Sequence, residues 1–72
     1  MDTDIKDIVQ GSWDEIKGKI KKQWGKLTDD EILKMEGRYD ELSGCLQRHY
    51  GYKESQARDE IAEFLRKNKL NS

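Results

Sequence analysis

The stretch from Ser12 to Asp30, SWDEIKGKIKKQWGKLTDD, constrains the fold more than any other part of the chain. At about 100° per residue, Trp13, Ile16, Ile20, Trp24 and Leu27 fall within a wedge roughly 80° wide, the pattern of a helix with one buried face. The two tryptophans lie about three turns apart, so they share that face at a separation of about 16 Å along the axis. Gly25 suits the left-handed residue that ends a helix. Thr28-Asp29-Asp30-Glu31 then restarts one as a capping box: the Thr28 hydroxyl accepts from the Glu31 amide while Glu31 reaches back to the Thr28 amide. Three acids in that first turn also suit the positive end of the helix dipole. A helix with one apolar face, a stop and a second start leave little room for anything but an all-α fold.

The chain around this stretch punctuates itself the same way. Ile5, Ile8 and Val9 share one side of a short first helix over residues 3–10, with Thr3 or Asp4 as its cap and Ser12 as the cap of the next. Beyond the capping box, Ile32, Met35, Tyr39, Leu42, Leu46 and Tyr50 form a second wedge of about 80°. Gly37 lies opposite that wedge, so periodicity allows either one helix over 29–50 or a break at Gly37. Gly51 ends the segment. A last helix from Lys53 to Asn68 buries Ala57, Ile61, Phe64 and Leu65, with Tyr52 placed as a staple against Ala57. Residues 1–10 and 69–72 are expected to fray.

With 72 residues, the chain is expected to form one domain. A single core of this size supplies only about 3–5 kcal/mol net, so each large apolar residue matters, and no deep substrate cavity fits beside it. Charged residues make up 40% of the chain, which leans toward disorder, but the net charge of −1 and the helical spacing of the apolar residues oppose it. The charge is segregated: residues 1–11 carry −2, 12–27 carry +3, 28–41 carry −4 and 42–72 carry +2. Solvated helix faces are the plain explanation.

Cys45 is the only cysteine, so no internal disulfide forms. The acidic N-terminus MDTDIKDIVQG does not read as a signal peptide, and no run approaches a membrane span. A cytoplasmic monomer is expected.

Candidate chemistry is thin. Cys45 and His49 are four apart on one helix face, which offers two ligands where a structural zinc site needs four. The same pair resembles a nucleophilic dyad only in composition, since a helix interior does little to lower a thiol pKa. The plainer reading is a partly buried thiol and a surface imidazole. Asp29, Asp30 and Glu31 are explained by the helix start. No metal, cofactor or catalytic residue is expected, and the protein is not expected to be an enzyme.

The lysines are the more serious signal. Lys17, Lys19, Lys21, Lys22 and Lys26 interleave with a tryptophan, as in surfaces that hold single-stranded nucleic acid or lie on anionic membranes. Against this, the lysines fan around the helix, Trp24 points to the core and the isoelectric point near 5.8 is far from basic. Tyr39, Tyr50 and Tyr52 read as core-edge residues with wet hydroxyls. Arg38 and Arg48 read as solvated ion-pair partners.

Gly11 to Glu31 closely resembles the N-terminal signature of the CsbD-like family, matching at Gly11, Trp13, Lys17, Gly18, Lys21, Trp24, Gly25, Lys26, Leu27, Thr28, Asp29, Asp30 and Glu31. The continuation matches at Glu36, Gly37, Asp40, Leu42, Gly44, Gln47, Tyr50, Gly51, Tyr52 and Ala57. Two positions depart from the pattern: Arg38-Tyr39 stands where Lys-Arg is usual, and Cys45 where lysine is common. The resemblance implies a small bacterial cytosolic protein associated with general stress, without an established biochemical activity. It also implies four helices arranged as two roughly orthogonal hairpins, similar to a SAM-like fold, and so a break near Gly37. A three-helix bundle is the alternative if residues 29–50 form one helix.

Overall fold

The computed structural model describes residues 4–70, which form five helices and, among the described residues, no strand: α1 (Ile5–Gly11), α2 (Trp13–Gln23), α3 (Asp29–Met35), α4 (Tyr39–Tyr50) and α5 (Glu54–Lys67). The expected capping role of Thr3 and the expected fraying of 1–3 and 71–72 lie outside the described residues. Asp4 caps α1, its carboxylate accepting from the Lys6 amide at 2.9 Å. One more helix is present than the four of two hairpins, because the short N-terminal segment packs as a helix in its own right. It lies against α4 and α2, and its Ile5 and Val9 enter the core.

The middle segment is two helices, which removes the three-helix alternative. The Thr28 cap forms as read from the sequence: Thr28 Oγ1 accepts from the Glu31 amide at 3.1 Å and Glu31 Oε1 accepts from the Thr28 amide at 2.9 Å. Beyond the end of α3, Glu36 and Gly37 both adopt left-handed conformations, with φ of 51° and 78°. Two such residues in succession reverse the chain, and only glycine does so without strain. Gly37 also backs onto the α1–α2 junction. A Cβ there would lie 3.4 Å from Trp13 Cβ and 3.5 Å from the Gln10 Cα.

Two expected helix ends work differently. Ser12 joins α1 to α2, but its side chain makes no capping bond; its carbonyl accepts from the Glu15 and Ile16 amides instead. Gly25 is not left-handed. The helix ends one residue earlier, where Trp24 swings to φ −128°, ψ 84° and places its ring on Phe64, centroids 4.9 Å apart. The turn is then held by the Leu27 amide on the Trp24 carbonyl at 3.1 Å and by Lys21 Nζ on the Leu27 carbonyl at 2.8 Å. Gly51 does end α4 in the left-handed conformation, φ 71°.

Of the residues placed in the core from their spacing, Ile16, Ile20, Trp24, Leu27, Ile32, Met35, Tyr39, Leu42, Leu46, Ala57, Ile61, Phe64 and Leu65 are buried. Trp13 and Tyr50 are only partly buried and pack against the core's edge. Cys45 and Ser43 are buried as well, the Ser43 hydroxyl accepting from the Gln47 amide group at 3.1 Å. α4 sits centrally, packed by α1, α3 and α5, while α2 packs on α3 and α1. None of the described helices is long and apolar enough to cross a membrane.

Candidate functional site

Packing separates the five lysines of the α2 region. Lys17 pairs with Asp14 one turn back, at 3.7 Å and largely in water, where such pairs add little. Lys21 spends its ammonium on the Leu27 carbonyl and so belongs to the fold. Lys26 lies over the Tyr50 ring, 4.9 Å from its centroid, while its backbone N–H donates to the Tyr50 hydroxyl at 3.3 Å. Tyr50 in turn stacks on Tyr52 with centroids 5.4 Å apart. Lys19 and Lys22, one turn apart, have no carboxylate within ion-pair distance among the described residues. All five are exposed; three have a partner on the chain, while Lys19 and Lys22 have none among the described residues, so the five do not act as one basic stripe.

The tightest polar cluster lies elsewhere, where the start of α3 meets the end of α4. His49 Nε2 sits 2.9 Å and 3.0 Å from the two oxygens of Glu31, the same carboxylate that caps α3. The hydrogen bond from the Thr28 amide, with that from His49 second, holds the Glu31 carboxyl at about 2, well below its ordinary 4.5. His49 is thus an inter-helix partner, where the sequence suggested a surface imidazole. A separation of 18 residues hides the pairing from any local pattern.

Cys45, one turn before His49 on α4, has a different partner. Its sulfur accepts from Arg48 Nη2 at 3.2 Å, and burial pushes the thiol above its usual pKa. Cys45 and His49 therefore share a helix without forming a dyad. Arg48 touches the thiol, and Arg38 pairs with Glu36 at 3.2 Å across the left-handed turn. Among the described residues, no group of three or more metal-ligating side chains converges. Asp29 and Asp30 remain in the first turn of α3, beside its positive end.

A model of the CsbD-like family matches residues 7–59. The chain is similar to the UPF0337 protein YjbJ of Escherichia coli K12, 46% identical over 63 residues that cover 88% of this chain and 91% of the relative. YjbJ of Salmonella typhimurium LT2 is also 46% identical over 63 residues, covering 88% and 90%. A UPF0337 protein of Bordetella pertussis Tohama I is 45% identical over 62 residues, covering 86% and 94%.

Proposed function

The chain belongs to the CsbD-like family, and on that premise we propose that it is a non-enzymatic, stress-associated cytoplasmic protein that acts by contact, as a protectant or a binding adaptor. The observation that carries this reading is how its reactive side chains are occupied. Glu31 holds Thr28 and His49, so both groups close the α3–α4 junction. Cys45 is buried and kept as a thiol, the unreactive form of cysteine. What the fold turns to solvent is mostly charge, with Leu33 the exposed large apolar side chain among the described residues.

The test is complementation of a deletion strain under general stress. Cys45→Ala and His49→Gln, each confirmed folded by circular dichroism, are expected to restore survival as the parent does. A folded Cys45→Ala protein that fails to restore it would overturn the non-enzymatic reading. Protection of a heat-labile client that grows with mole ratio and never saturates marks a protectant; saturation at a fixed ratio marks an adaptor.

A second reading is a weak binder of anionic surfaces through α2. Lys19 and Lys22 favour it, as cations without a carboxylate partner among the described residues. Phosphate binding weakens steeply as salt rises, so salt-independent binding would exclude this reading.

A further inference from the structure

Lys19 and Lys22 of α2 do not stand alone. The last turn of α5 comes beside them, and Lys19, Lys22, Gln23, Phe64, Lys67 and Asn68 line one surface hollow of about 380 Å³. We propose that Lys19, Lys22 and Lys67 form a site for phosphate groups, carried on a polyphosphate chain or on the backbone of single-stranded nucleic acid. The proposal rests on the anionic-binder reading above and assigns that binding to one place.

Three features support it. First, Lys67, like Lys19 and Lys22, has no carboxylate within ion-pair distance among the described residues. Three like charges around one hollow repel one another, and an anion between them relieves that repulsion. Second, Phe64 borders the hollow while only 2% exposed, its ring packed against Trp24 in the core beneath. A low-dielectric wall beneath charges of one sign focuses their field outward. Third, the helix dipole explains only part of the arrangement. Lys22 and Lys67 lie in the last turns of α2 and α5, where cations suit the negative helix end. Lys19 is a turn further in, and the dipole does not require it there.

The ligand class follows from the lining. Lysine holds phosphate as a point charge from several directions. The buried Phe64 offers no face for a base to stack on, so binding is expected to be independent of base sequence. Of the two amides, Asn68 spends one N–H on the Phe64 carbonyl at 2.8 Å, which leaves its second N–H and those of Gln23 as neutral donors.

The experiment titrates the ¹⁵N-labelled full chain with sodium tripolyphosphate and, separately, with a short oligothymidylate. Amide shifts are expected to centre on Lys19, Lys22, Gln23, Lys67 and Asn68. Neutralising three phosphates on a single strand gives a salt slope near −2, so affinity for the oligonucleotide should fall about 20-fold between roughly 50 and 200 mM salt. Lys67→Gln should reduce that slope by about 0.7, and Lys22→Gln likewise. Lys17→Gln with Lys26→Gln should leave slope and footprint unchanged. Binding of both probes at this footprint supports the site and shows that phosphate alone suffices; binding of the oligonucleotide alone also supports it and identifies nucleic acid as the source. A footprint on Lys17, Lys21 and Lys26 that ignores Lys67→Gln overturns the site but leaves the anionic-binder reading. No binding of either probe at low salt overturns both.

Discussion

The same substitution at two glycines should move stability in opposite directions. Gly18 lies inside α2, and a Cβ there meets nothing within 4 Å. Alanine at this position keeps the helix and lowers the entropy lost on folding, a gain of about 1 kcal/mol. Gly37 holds φ at 78° in the reversal between α3 and α4. Its Cβ would approach Trp13 and Gln10 only to ordinary contact distance, so the cost of alanine is mainly conformational, about 1–2 kcal/mol. For a domain of this size each kcal/mol moves the melting temperature by about 4–8 °C. Gly18→Ala should therefore melt about 4–8 °C higher and Gly37→Ala about 4–16 °C lower, followed by circular dichroism at 222 nm. Gly37→Asn should fall between Gly37→Ala and the parent, because asparagine tolerates the left-handed region. A Gly37→Ala protein as stable as the parent would refute the reasoning, since residues 29–50 would then be free to run as one helix.

Three further outcomes follow from the polar contacts. Thr28→Ala removes the acceptor of the Glu31 amide and should cost about 0.5–2 kcal/mol in urea denaturation, with Thr28→Ser restoring most of it. Glu31 is the stronger acid in the folded state, about 2 against an ordinary 4.5, so its stabilisation is whole above pH 4.5 and is lost as pH falls through 2. Melting curves in that window should flatten in Glu31→Gln; an unchanged pH slope would show that the Thr28 and His49 contacts do not hold the carboxylate. Cys45, buried with a raised pKa, should react with a disulfide reagent at neutral pH only as fast as the chain unfolds; prompt labelling of the native protein would contradict that burial.

Local signals carried most of the fold. The Thr28 capping box, the Gly51 stop and the apolar wedges of α2, α4 and α5 depend on residues within a turn or two of one another, so they show in the sequence. The break after α3 was legible only by resemblance, because periodicity runs through Gly37 unbroken while the reversal depends on two left-handed residues and on Trp13 behind them. Trp24 shows the limit of local reading at a helix end: its ring is drawn to Phe64, and the helix stops before Gly25 has to turn. The surface was less legible than the core. Nothing near Lys21 in sequence marks the Leu27 carbonyl as its partner, and nothing near Lys19 or Lys22 announces Lys67 from the other end of the chain. Glu31 and His49 meet for the same reason, through packing of α3 on α4.

The lysine- and tryptophan-rich stretch divides its work: one face builds the core, and Lys19 and Lys22 are exposed without an ion-pair partner among the described residues. Thermal unfolding of Trp24→Ala beside a Lys19→Gln, Lys22→Gln double variant tests this division most directly. Trp24 is 2% exposed and packed on Phe64, so its truncation should cost about 3–5 kcal/mol, close to the whole net stability of so small a core. The lysine variant should stay within about 0.5 kcal/mol of the parent for each change. Expected is a largely unfolded Trp24→Ala protein at room temperature and a cooperative, near-parental melt for the lysine variant. A Trp24→Ala protein melting within about 4 °C of the parent would contradict the division.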